Sequence, residues 1–243
     1  MKVSIIMPIY NEEKHIEEAI SSVLEQSYEN FELLVIDDGS SDNTVSLVTQ
    51  FGDKRLRLFK KENADQLNAI HYVLEHVSGD IVYLFHGDDR IHSKQTIEKL
   101  VDEIIRTGAD YVEYPYCIMD GDGIISSTVN GIKDLRLGFD KANHLLYFGR
   151  NYKTDPFFCR IEFFKKQVVP NYIERNIPFW SGCESPKVAK VGFPVFDYRL
   201  HEGNYLNQES GLLNVVNGNI RSTLKLLKSN YIPFFDLQRV IFK

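Results

Sequence analysis

Cysteine is scarce in this sequence, and that scarcity narrows the field first. The 243 residues hold three, Cys117, Cys159 and Cys183, and no Cys-x-x-Cys pair. That argues against a zinc knuckle and a dithiol redox site. Three is too sparse for a disulfide scaffold, so a reducing compartment is expected. Long apolar runs are missing as well: stretches such as 81–85 fall far short of the ~20 residues that span a bilayer. Positive charge is in deficit, with 28 Lys plus Arg against 34 Asp plus Glu and a net charge of -6. A duplex-binding module is basic, which argues against nucleic acid as the main partner. Three motifs are absent too. No Gly-x-Gly-x-x-Gly follows the first apolar run and no Gly-x-x-x-x-Gly-Lys-Ser/Thr occurs, which removes the usual dinucleotide fold and the P-loop ATPases. Without a Gly-x-Ser-x-Gly elbow, a serine hydrolase loses its best support.

What remains is a chain built to fold. Hydrophobic residues make up 43% and charged residues 26%, which is neither a disordered nor a low-complexity composition. No Gly-, Ser- or Pro-rich linker and no internal repeat divides it, so 1–243 reads as one domain. The start, MKVSIIMPIYNEE, has one Lys and no small-residue cleavage site, and reads as a first strand rather than a signal peptide.

Val3 to Ile9, Phe31 to Ile36, Arg55 to Phe59, Ile81 to Phe85 and Tyr111 to Met119 are compact apolar or β-branched runs, expected as strands. Between them, Glu12 to Gln26, a segment from Asp42 or Asn43, Gln66 to His76 and Gln95 to Arg106 carry helical spacing. Ser78-Gly79 and Thr107-Gly108 are stop signals. This β-α alternation over 1–119 predicts an α/β fold, a mostly parallel sheet with helices on both faces. Gly121-Asp122-Gly123 predicts a hairpin turn. Beyond it Pro156, Pro170, Pro178, Pro186 and Pro194 break the pattern into a less regular second half.

Ligands of such sheets bind outside the carboxyl ends of the strands. Those ends carry Tyr10 and Asn11, then Asp37 and Asp38, then Asp88 and Asp89. A carboxylate after the second strand can accept from a base N–H or a ribose hydroxyl, or it can cap a turn with Ser40 and Asn43. Two adjacent carboxylates after the fourth suit a hard cation such as Mg²⁺ or Mn²⁺ bridging to a diphosphate, or they approach a helix start near Ser93. His86, two residues before Asp88, is a ligand, a pocket wall or a surface residue.

In order along the chain, the segments 3–12 (VSIIMPIYNE), 21–28 (SSVLEQSY), 31–44 (FELLVIDDGSSDNT), 66–70 (QLNAI) and 79–84 (GDIVYL), closed by Asp88-Asp89, resemble the N-terminal signature of glycosyltransferase family 2. The match covers about the first 120 residues. The resemblance implies a GT-A fold, with a Rossmann-like half for the nucleotide-sugar (1–119) and an acceptor-binding half (120–210). It implies a nucleotide-sugar donor, commonly UDP-linked, with Mg²⁺ or Mn²⁺, and a glycan or lipid-linked acceptor in cell-surface polysaccharide synthesis. Pro8, Tyr10, Glu12 and Gln66 would line the nucleotide pocket. Asp38 would read the uracil edge, with Asp37 supporting the turn. Asp88 and Asp89 would hold the ribose and the metal-diphosphate.

The implied mechanism is inverting: an acceptor hydroxyl attacks the anomeric carbon in line as the nucleotide diphosphate leaves. A carboxylate removes the hydroxyl proton, and Glu184, after Trp180, is the matching position. Asp155 and Glu174 are its substitutes. Trp180 would stack on a sugar face or sit in the core. Tyr198-Arg199-Leu200-His201 resembles the family's closing segment, where Arg199 or His201 would meet the diphosphate or simply pair structurally. His86, Asp65 and His71 depart from the family pattern and keep open a decayed member that binds without catalysis. A nucleotidyltransferase is the other alternative, but 9–15 lack the Gly-rich basic loop it needs. In segment 211–243, Arg221, Lys225, Lys228, Arg239 and Lys243 face one acid, Asp236, among aromatics. That segment lies on an anionic membrane surface or packs on the domain. A cytoplasmic protein, at the inner face of the membrane, is the matching location.

Overall fold

In a computed structural model of the chain, residues 1–63, 66–129, 158–165 and 187–204 are described. The chain divides into two compact units, the first of them Met1–Lys133, Asp155–Phe164 and Pro186–His201. All the strands and helices below belong to that unit.

A seven-stranded sheet runs in the order β10 (Val188–Lys190), β6 (Tyr111–Glu113), β9 (Phe158–Arg160), β4 (Ile81–Leu84), β1 (Val3–Ile9), β2 (Phe31–Asp37), β3 (Leu56–Lys60). Its centre is β1 (Val3–Ile9), β2 (Phe31–Asp37) and β4 (Ile81–Leu84), every residue of which is buried. Strands covered on both faces are near-continuous apolar runs rather than alternating, as these segments are apart from Ser4, Glu32 and Asp37. β1 pairs in parallel with β2 on one side and β4 on the other, and β2 pairs in parallel with β3 (Leu56–Lys60). The chain therefore winds outward through β2 and β3, then returns to lay β4 against the opposite side of β1. That reversal is a topological switch point, the place where open α/β sheets leave a crevice.

Helix α1 (Ile16–Leu24) buries Ile16, Ala19, Ile20 and Val23 along one stripe. Helix α4 (Thr96–Thr107) buries Ile97, Leu100, Val101 and Ile104. These side chains share one core cluster with Val3, Ile5, Met7 and Ile9 of β1. Gly108 ends α4 in the left-handed conformation that favours glycine. Helices α2 (Thr44–Thr49) and α3 (Gln66–Val73) complete the expected alternation.

The segment from Tyr111 to Met119 departs from expectation. It forms two strands, β6 (Tyr111–Glu113) in the large sheet and β7 (Tyr116–Met119) in a second sheet ordered β5-β11-β7-β8. Pro115 stands at the break, where a missing N–H and the restricted residue before it end a ladder. The remaining strands of the second sheet are β5 (Arg90–Ile91), β8 (Ile125–Val129) and β11 (Phe196–Arg199). The expected hairpin turn joins β7 to antiparallel β8. β9 (Phe158–Arg160) enters antiparallel between β4 and β6, and β10 (Val188–Lys190) pairs in parallel with β6. Cys117 and Cys159 are free thiols. Among the described residues, no helix is long and apolar enough to cross a membrane.

Candidate active site

The loops after β1, β2 and β4 meet at the switch point. The first two are stitched together by side chains gripping backbone. Asn11 has φ 55, the left-handed region that Asn tolerates better than most residues. Its N–H donates to Ser40 Oγ (2.9 Å), and its Oδ1 accepts from the Ser41 N–H (2.8 Å). The Glu12 N–H donates to Thr44 Oγ1 (2.7 Å), and Glu13 Oε2 accepts from the Asn43 N–H (3.0 Å). Glycine is required at Gly39, where φ is +82 and an added Cβ would lie 2.9 Å from the Asn63 backbone nitrogen.

The two carboxylates at the end of β2 divide the tasks that the sequence left open. Asp37 Oδ1 accepts from the Ser40 N–H (3.2 Å) and so closes its own turn. Asp38 stands on the Ile9 carbonyl through its N–H (3.0 Å), and its carboxylate accepts from Lys61 Nζ. Pro8 lies within β1 and Tyr10 just past its end, half exposed at the rim.

Beyond β4 the chain passes very close to the β1–α1 loop. A Cβ on Gly87 would lie 2.8 Å from Ile9 Cγ2 and 3.5 Å from Glu12 Cγ. Ile9 is core, so it has little room to yield. Gly87→Ala should lower stability by about 1–3 kcal/mol, measurable as a shifted urea midpoint with unchanged slope.

This close passage crowds carboxylates. Burial, and then the charge of Asp88, push the Glu12 carboxyl up to about 8, with Asp89 and Asp42 adding to the effect and His86 opposing it. The folded chain thus binds a proton at Glu12 that the unfolded chain gives up near its ordinary value of 4.5. The folded state binds the extra proton across that interval, so stability falls as pH rises from about 4.5 to about 8, and the loss is complete above it. In metal-free buffer, Glu12→Gln should flatten that slope and melt higher than wild type at pH 8.5. Parallel melting curves for the two proteins across this range would refute the assignment.

Asp88 and Asp89, expected to act alike, are placed differently. Asp88 faces the cleft, its Oδ2 lying 3.1 Å from His201 Nε2. Burial works against its charge, but the His201 hydrogen bond and the charges of His86 and His201 outweigh burial and hold its pKa below the usual value. Asp89 is 1% exposed, and its Oδ1 accepts from the Arg199 backbone N–H (3.0 Å).

Arg199 does not reach outward. It is 2% exposed. Its Nε donates to the Asp88 carbonyl (2.9 Å), Nη1 to the Gly121 carbonyl (2.9 Å) and Nη2 to Glu18 Oε2 on α1. Glu18 also takes Arg90 Nη1 (2.7 Å), and Arg90 Nε donates to Asp197 Oδ2 (2.8 Å). Sequence reasoning missed Glu18, Arg90 and Asp197. No local signal marks them, because their partners lie 72 to 181 positions away.

Behind this network His92, Cys117 and Asp197 bring metal-ligating atoms within 4.8 Å of one another. Asp197 there already accepts from Arg90 and lies 2.6 Å from His92 Nδ1. The guanidinium competes with any cation for that carboxylate. Several expected site residues fall outside the described residues: Glu184, Asp155, Glu174, Trp180, the segment 211–243 and the side chain of Gln66, whose backbone opens α3.

A mostly parallel sheet that gathers carboxylates at its switch point, beside a second small sheet, defines the class: a GT-A-type nucleotide-binding α/β protein. The chain belongs to glycosyl transferase family 2, whose family model matches residues 4–164. It is 39% identical over 255 residues to an uncharacterized glycosyltransferase of Haemophilus influenzae, covering 96% of this chain and 74% of that one. It is 38% identical over 128 residues to the Escherichia coli UDP-Glc:alpha-D-GlcNAc-diphosphoundecaprenol beta-1,3-glucosyltransferase WfgD, covering 52% of this chain and 50% of that one. The chain thus spans about half the length of WfgD. Its fold matches the mannosyltransferase PcManGT of Pyrobaculum calidifontis, solved with GDP-Man and Mn²⁺, with a TM-score of 0.58 at 18% identity over 90% of this chain and 64% of that one.

Proposed function

We propose that this chain is an inverting glycosyltransferase that moves a sugar from a UDP-linked donor to a hydroxyl of a glycan or lipid-linked acceptor. The observation that carries the reading is the convergence of Asp38, Glu12 and Asp88 from three adjacent strand ends in a member of this family. WfgD, by its name, takes UDP-Glc and a diphosphoundecaprenol-linked acceptor, which supports both halves of the reading. Contact with the inner face of a membrane through 211–243 belongs to the same proposal.

In this reading Asp38 accepts from the base, Tyr10 and Pro8 line its pocket, and Asp37 keeps the turn that aims Asp38. Asp88 would hold Mg²⁺ or Mn²⁺, with Asp89 fixing its loop from behind. The donor set fits such an ion: carboxylate oxygen first, with the His201 imidazole 3.1 Å away. When bound, a divalent ion neutralises charge growing on the leaving phosphate oxygen. Glu184 is the residue proposed to take the proton from the acceptor hydroxyl.

The test is release of nucleotide diphosphate from a panel of nucleotide-sugars with Mn²⁺ or Mg²⁺. One UDP-sugar turned over, with the Asp88→Asn protein silent, supports the transferase. Silence from every donor, together with no nucleotide binding by calorimetry, would favour a decayed binder.

A further inference from the structure

At the carboxyl end of β3 the chain sets a cation against the carboxylate proposed to meet the base. The Lys61 N–H donates to the Asp37 carbonyl (3.0 Å), which carries the β2–β3 pairing one residue past Asp37↔Lys60. That bond fixes Lys61 beside Asp38. Its Nζ donates to Asp38 Oδ1 and to the Glu62 carbonyl (2.7 Å). The two side chains are largely withdrawn from water, 14% and 9% exposed. An ammonium has three N–H donors. These bonds use two of them, and among the described residues Nζ has no third partner, which leaves one N–H for a ligand.

Such a pair presents two neighbouring functions of opposite kind. The carboxylate only accepts, and the ammonium only donates. Uracil answers with N3–H beside the O4 carbonyl, and guanine with N1–H beside O6. Cytosine and adenine present the reverse, a bare ring nitrogen beside an amino group. Seated the same way, ring nitrogen on Asp38 and exocyclic group on Lys61, those two bases set a like function against both members of the pair. A site built of withdrawn polar groups penalises such mismatches heavily, because each group is then left unpaired.

We propose that Lys61 is a specificity-determining residue: with Asp38 it reads the donor's base as an N–H beside a carbonyl, selecting uracil or guanine nucleotides over cytosine and adenine nucleotides. This rests on the donor-binding reading given above. Asp38 supplies the accepting half, and Lys61 supplies the donor to O4 or O6.

The test is calorimetric binding of UDP, GDP, CDP and ADP, each with Mn²⁺, to the whole chain and to Lys61→Met and Lys61→Ala. Wild type should bind UDP or GDP at least about tenfold more tightly than CDP and ADP. The UDP and GDP arms show which of the two bases the pocket admits. Both variants should lose about tenfold of that preference. The ratio is taken within each protein, so a general loss of affinity does not imitate the effect. Either variant that folds and keeps the wild-type ratio overturns the role of Lys61 and leaves donor binding standing. A wild type that binds nucleotides without preference overturns it as well. A wild type that binds none overturns the donor reading, and this inference with it.

Discussion

Asp88→Asn should lower nucleotide diphosphate release by about a thousandfold and leave the protein folded. The size follows from what the carboxylate is proposed to hold, since a divalent ion on the leaving phosphate is worth several kcal/mol in the transition state. The intact fold follows from the surroundings. Asp88 sits among Glu12, His86 and His201, and its charge is what most raises Glu12 after burial. Removing that charge relieves the contact with Glu12 but gives up the pairing with His201 that favours it, so melting at pH 8 should change little. Asp89→Ala should behave in the opposite way. It deletes a buried acceptor for the Arg199 N–H, which costs about 1–3 kcal/mol of stability. Turnover by Asp88→Asn within tenfold of wild type would move the metal site away from this cleft.

The large sheet was legible because its central strands are buried on both faces. The runs VSIIMPI and FELLVID admit no other reading at that length, and Gly108 ends α4 where the stop signal stood. The second sheet was not legible. β5 has two residues, too few for any period, and β11 finds its partners β5 and β7 more than seventy positions upstream. β9 carries its antiparallel insertion on three residues. In the cleft, residue type announced Asp38 and Asp88, but the difference between Asp88 and Asp89 came only with burial. Both lie in the turn between β4 and β5, outside the alternation of either strand, so no sequence period assigned them separate tasks. For Arg199 the sequence left a diphosphate contact and structural pairing both open. Its alternation with Tyr198 on β11 turns it inward, toward backbone carbonyls that no sequence pattern displays.

Arg199→Met should destabilise the protein by about 1–3 kcal/mol, the usual cost of leaving a buried acceptor without its donor. The two partners of its ion pair are not equivalent. Arg199 is wholly buried, whereas the Glu18 side chain is 40% exposed and keeps part of its hydration. Removing the arginine therefore strands little charge, and its effect comes from the three segments it ties. Those are α1 through Glu18, the loop after β4 through the Asp88 carbonyl, and the β7–β8 turn through the Gly121 carbonyl. Methionine fills the volume but leaves both carbonyls without this donor. Glu18→Ala should cost at least as much, because it takes a carboxylate partner from the buried guanidinium, although the carbonyl bonds remain and Arg90 keeps Asp197. Both variants should also weaken Mn²⁺ binding when assayed cold and folded, since the loop that aims Asp88 hangs from Arg199. Urea unfolding separates the two effects. A loss under about 1 kcal/mol for Arg199→Met, within the range of ordinary substitutions, would mean that the β4 loop is held in place by its packing alone.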